Sequence, residues 1–178
     1  ETPQTPRVAA DLSSVGVRDV VEGGEVVAKL PDVSGVTDPS LRTYLESASE
    51  RLLKLQRELG FPLYSRVTDP TAAQDQLGNI LSSATRGNES QFLVAAGGAG
   101  KTETSAIGAA ERFHYTGRKQ VMVVESTSTI GDNQAQYQRI FDAEGVSGYF
   151  LSSKVSDLSP AEFTTLMAAD VVVTTNKI

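Results

Sequence analysis

The segment Ala95-Ala96-Gly97-Gly98-Ala99-Gly100-Lys101-Thr102 restricts the fold of this chain more than any other. It follows the apolar run Phe92-Leu93-Val94-Ala95 and precedes a helical pattern from Thr102 to about Tyr115. The general phosphate-loop rule is Gly, four residues, then Gly-Lys-Ser/Thr. Ala95 stands where the first Gly would be, a departure tolerated where that residue only ends the strand. Small side chains at Gly97, Gly98, Ala99 and Gly100 let backbone N–H groups turn inward around an anion without collision. Lys101 supplies a mobile positive charge for β- and γ-phosphates, and the Thr102 hydroxyl suits a Mg²⁺ ion bridging them. The helix that follows aims its positive end at the same place. Glu103 sits in that first turn, where a carboxylate is favoured by the helix dipole, which argues against its serving as a base.

The periodicities around the loop define an α/β chain. Val17–Val21 and Glu25–Leu30 flank Glu22-Gly23-Gly24, the pattern of a β-hairpin. Asp38-Pro39 starts a helix whose apolar stripe is Leu41, Tyr44, Leu45, Ala48, Leu52, Leu55 and Leu59, and Gly60 stops it. Asp69-Pro70 starts another, with Ala73, Leu77, Ile80, Leu81 and Ala84 on one side and an end near Gly87. The helix after the loop carries Ala106, Ala109, Ala110 and Phe113 on its inner side. Beyond it, strands are expected at 121–124, 146–151 and 171–174. Helices are expected from Asp132 to Phe141 and from Ser159-Pro160 to about Met167. Strands alternating with helices predict a parallel sheet with crossover helices.

Composition excludes several functions. The 178 residues include no Cys and one His, so thiolate zinc sites, disulfides and His-rich metal sites are ruled out. The formal net charge is −6, with no overall field to attract nucleic acid. No apolar stretch reaches the roughly 20 residues that span a bilayer, and a cytoplasmic protein is expected.

Three further stretches carry a family resemblance. Pro70-Thr71-Ala72-Ala73-Gln74 resembles the Q motif of DEAD-box helicases, whose Gln reads adenine with its amide. Phe61-Pro62 resembles the aromatic segment near the base in that family. Gln76-Leu77-Gly78 resembles the Gln-Leu stretch of the preprotein translocase ATPase SecA, so Gln74 and Gln76 compete for one role. Val121-Met122-Val123-Val124-Glu125-Ser126-Thr127-Ser128-Thr129 resembles motif Ia of superfamily 2 helicases, where hydroxyls hold nucleic-acid phosphates. Glu125 after that strand imitates a Walker B acid, but the strand's position corresponds to motif Ia. Ala168-Ala169-Asp170-Val171-Val172-Val173-Thr174-Thr175-Asn176 resembles the superfamily 2 strand before Walker B and a similar SecA run. Asp170 precedes its apolar run, the reverse of a Walker B acid. The loop itself lacks SecA's usual Thr-Gly-Glu-Gly pattern.

The resemblance spans about residues 61–178. It implies a partial RecA-like P-loop NTPase core over 37–178, preceded by an arm with the hairpin over 1–36. It implies an ATP-binding part of a superfamily 2 helicase or nucleic-acid translocase, with ATP or ADP and Mg²⁺ as ligands. Lys101 and Thr102 become the catalytic residues. Gln74, Gly97, Gly98, Ala99, Gly100, Lys101, Thr102 and Glu103 become the nucleotide-binding residues, and Thr102 becomes the metal ligand. Nucleic acid would lie against Ser126, Thr127, Thr174 and Thr175. The expectation includes parts outside the sequence: the Walker B strand of the same motor domain, and as partner a C-terminal second motor domain offering an arginine finger. Without these, the chain is expected to bind ATP or ADP weakly and hydrolyse it poorly. The alternatives are a SecA-like polypeptide-translocating ATPase and a non-catalytic nucleotide-gated interaction module. A P-loop kinase would need paired lid arginines, and Arg112, Arg118 and Arg139 show no such clustering.

Overall fold

A computed structural model describes residues 8–63, 70–91 and 100–176. Strands β1 (Gly16–Glu22) and β2 (Glu25–Asp32) form an antiparallel hairpin. Gly23 and Gly24 turn it with φ of +59° and +80°, a left-handed pair that side chains resist and that matches strand twist. The hairpin lies on α1 (Pro39–Leu59) through the Gln56 side chain. Its amide accepts from the Lys29 N–H at 2.9 Å and donates to the Lys29 carbonyl at 3.0 Å. One glutamine thus serves β2 as a neighbouring strand would.

Helix α1 starts where the sequence expects. The Asp38 carboxylate accepts from the Ser40 and Leu41 amides, and Pro39 occupies the first turn. Its expected stripe is buried from Leu41 to Leu55, with Leu59 half-buried. Helix α2 (Pro70–Thr85) buries Ala73, Leu77, Ile80, Leu81 and Ala84. The Arg112 guanidinium closes its C-terminal end by donating to the carbonyls of Ala84, Arg86 and Gly87. Helix α3 (Lys101–Thr116) lies along α2 so closely that a methyl on Gly108 would come within 3.1 Å of Ser83 Oγ.

The second half is a parallel sheet. Strands β3 (Gln120–Val124), β4 (Gly148–Phe150) and β5 (Val171–Thr175) take the order β3-β5-β4 among the described residues. Helix α4 (Thr127–Glu144) connects β3 to β4, and α5 (Pro160–Ala168) connects β4 to β5. Val171 and Val173 enter the main core with Ile107, Ile130, Ile140 and Phe141. Val172 faces the other way, against Leu166 and Ala169 at α5. This α/β architecture, with its parallel sheet, helices and hairpin, agrees with the pattern read from sequence.

Two boundaries differ from expectation. Helix α4 begins at Thr127, not Asp132, because Ser126 caps it: Ser126 Oγ accepts from the Thr129 amide at 3.2 Å. Of the apolar residues in this stretch, Ile140 and Phe141 are buried and Ala135 is exposed. Strand β4 is three residues, not the expected 146–151. Val146 is used instead to close α4: its N–H donates to the Phe141 carbonyl while Gly145, at φ +69°, donates to Asp142. Gly148 then passes so near the Phe141 ring that a Cβ there would meet Cδ2 at 2.5 Å. The expected strand at 92–95, the loop residues Gly97, Gly98 and Ala99, and the Asp69 cap lie outside the described residues.

Candidate functional site

Gly100 opens α3 with φ +76° and ψ 36°, a conformation that favours glycine. The first helical bond runs from the Thr104 amide to the Gly100 carbonyl at 2.8 Å, so the amides of residues 101–103 lie ahead of the helix's own ladder. In α1, α4 and α5 a side chain caps that position: Asp38, Ser126 and Ser159 respectively. At Gly100 no side chain does so. Lys101 is exposed and Thr102 half-buried.

The connections set where this helix end lies. Helix α3 ends at Thr116 and β3 begins at Gln120, while two residues separate the end of β3 from the start of α4. Both helices therefore run back along the sheet from the carboxyl ends of its strands, where ligands of open α/β sheets bind. Side-chain bonds agree with parallel helices: Gln136 of α4 donates to Glu103 at 2.7 Å, and His114 meets the Glu144 carbonyl at 2.8 Å.

The two competing glutamines have different surroundings. Gln74 is exposed. Gln76 is 6 % exposed, and its amide nitrogen faces Thr104 Oγ1 at 3.1 Å, the Leu63 carbonyl at 3.3 Å and the Gly100 carbonyl at 3.4 Å. It ties α2 and the chain after α1 to the head of α3. Beside it, Leu59, Pro62, Leu63, Glu103 and Gln136 line a crevice of about 170 Å³. Phe61 is half-buried next to that segment.

Of the expected track contacts, Thr127 is exposed, and Ser126 and Thr174 are half-buried. Thr175 is buried, and its hydroxyl donates to the Glu125 carbonyl at 3.4 Å. That contact joins the ends of β3 and β5, so the two stretches singled out by sequence meet at one sheet edge. The Glu125 side chain is exposed there. Asp170 ties β5 to the residue before β4: its carboxylate accepts from the Ser147 amide at 2.9 Å, and its own amide donates to Ser147 Oγ at 3.0 Å.

Sequence reading missed a buried polar cluster further along α3. Glu111 is fully buried, and Arg51 of α1 grips it with two hydrogen bonds of 2.8 Å, Nε to Oε1 and a terminal nitrogen to Oε2. Tyr44 Oη adds a third bond at 2.9 Å. Burial, then the Glu111 charge, pushes the Tyr44 hydroxyl well above its usual range. Burial works against the Arg51 charge, but the Glu111 bonds and charge outweigh it and its pKa is raised. Glu144 of α4 is 2 % exposed beside the same guanidinium. The signal available was a carboxylate one turn after Ile107, on the inner side of an otherwise apolar stripe.

No family model matches the chain, and no curated protein and no solved structure is significantly similar to it. Among the described residues, no helix is long and apolar enough to cross a membrane.

Proposed function

We propose that the chain is the nucleotide-binding part of a superfamily 2 motor ATPase, built on a RecA-like core. The observation that carries this reading is the head of α3. Unlike the starts of α1, α4 and α5, it has no side-chain cap among the described residues, and it coincides with Gly100-Lys101-Thr102. Uncapped amides at a helix N-terminus, a glycine at the cap and an exposed ammonium beside them suit a polyphosphate. In this reading Lys101 neutralises phosphate charge and the Thr102 hydroxyl helps hold Mg²⁺, whose remaining ligands come from phosphate and water. Gln76 steadies the loop's exit, while Gln74, exposed on the first turns of α2, is the amide free to meet a base.

Calorimetric titration of the chain with Mg·ATP and Mg·ADP tests this. Binding is expected, and Lys101→Ala should remove most of it without moving the unfolding midpoint. A wild-type chain that binds neither nucleotide would refute the proposal.

A second reading, a polypeptide-translocating motor of the SecA type, is favoured by one observation. Glu125 stands exposed beside the hydroxyls that a nucleic-acid motor would turn toward phosphate, and the chain's net charge is −6. In a protein containing this chain, RNA or DNA should stimulate hydrolysis under the first reading and unfolded polypeptide under the second.

A further inference from the structure

The cluster behind the head of α3 sets two carboxyls against one guanidinium. Glu111 and Glu144 are both buried, at 0 % and 2 % exposure. Arg51 Nε lies 2.8 Å from Glu111 Oε1 and 3.8 Å from Glu144 Oε2, so the two carboxyls flank one nitrogen. That nitrogen and its neighbour are spent on Glu111, as is the Tyr44 hydroxyl. The remaining Arg51 nitrogen donates to Ser47 Oγ. The other base facing Glu144 is His114 of α3, whose Nε2 is 3.7 Å from Glu144 Oε2. That nitrogen already donates to the Glu144 main-chain carbonyl at 2.8 Å, because a carbonyl can only accept. Both Glu144 carboxyl oxygens are left without a hydrogen-bond partner among the described residues.

A buried carboxylate with no donor is unstable by several kcal/mol, and it relieves this by taking up a proton. A neutral carboxyl can donate that proton to a neighbouring carboxylate. We propose that the buried Glu144 carboxyl keeps its proton in the native protein, making the α1–α3–α4 junction a proton-held clamp that weakens as pH rises. The groups facing Glu144 are Arg51 and Tyr44 from α1 and Glu111 and His114 from α3. Burial first, then the Glu111 charge and a bond to it, push the Glu144 carboxyl well above its ordinary value of 4.5, and Arg51 opposes this.

The direction follows from linkage. The unfolded chain loses the Glu144 proton near 4.5, and the folded chain keeps it to a higher pH. Between those limits the folded state binds one more proton, so stability is greatest below the lower limit and falls as pH rises through the window. One proton corresponds to about a tenfold loss in the folding constant per pH unit. The clamp sits on the helix that begins with Lys101, but it does not rest on nucleotide binding.

Two measurements on the full chain decide it. The infrared spectrum of the wild-type protein at neutral pH should contain the C=O stretch of a neutral carboxylic acid, lost at high pH. Urea unfolding of wild type should show the folding constant falling by up to tenfold per pH unit across part of the range from pH 5 to 9. Glu144→Gln, which keeps the shape and supplies an N–H donor toward Glu111, should remove that slope. The infrared result stands even if the variant does not fold. No neutral-acid band in the wild type, or a slope unchanged in Glu144→Gln but removed in His114→Gln, would overturn the proposal.

Discussion

At its head α3 presents an exposed lysine and a glycine cap position with no side-chain bond among the described residues, whereas two to three turns later it buries Glu111 completely between two other helices. The head is finished by nothing in its own helix. The rear is finished by Arg51 and Tyr44, which lie 60 and 67 residues away in sequence. An open backbone end leaves binding capacity for a ligand, while a closed ionic cluster spends its capacity on holding the helix in place. The same helix is thus open at one end and anchored at the other.

The largest effect should come from emptying the rear. Arg51→Met leaves Glu111 and Glu144 buried with no guanidinium and should cost about 3–5 kcal/mol in urea unfolding at neutral pH. Next comes the head. Lys101→Ala should weaken Mg·ATP binding by about 1.5–3 kcal/mol, roughly ten- to a hundredfold in calorimetry. It should leave stability within about 0.5 kcal/mol, as for an exposed side chain. If Lys101→Ala unfolded the protein, or Arg51→Met left it unaffected, the division between the two ends would fail. Gln76→Ala sharpens it, since Gln76 is buried at the head yet bonded only to protein groups. A loss of about 1–1.5 kcal/mol in stability is expected there, read by denaturant unfolding. Smallest is Asp38→Ala, which strips a true side-chain cap from α1 and should cost about 1 kcal/mol. Measured beside the head of α3, it shows what capping is worth in this protein.

What could be read from sequence divides along the same line. The stripe of α1, the Gly-Gly hairpin and the strand–helix alternation obey local periods, and the structure follows them. The Ser126 cap was readable as a capping residue, yet its consequence, a helix beginning at Thr127, was not. The segment 127–134 is polar, and only Ile130 of it is buried. Val146 looked like strand and became part of a helix stop, because Gly145 turns the chain there. At the candidate site, the loop sequence identifies Gly100, Lys101 and Thr102. It could not rank Gln76 over Gln74 as the buried amide, since both lie on one helix and only the position of α3 separates them. Glu111 showed in sequence only as a carboxylate on an apolar stripe; its partners were not legible, because the cluster draws its members from three helices.

The Gln76 amide has one more consequence. A single planar group reaches the head of α3 at Gly100 and Thr104 and the chain leaving α1 at Leu63. Any tilt of the α3 head must then either break those bonds or drag α2 and the α1 exit with it. A displacement of Lys101 would therefore be shared by α2 and the α1 exit, not confined to the helix that begins there.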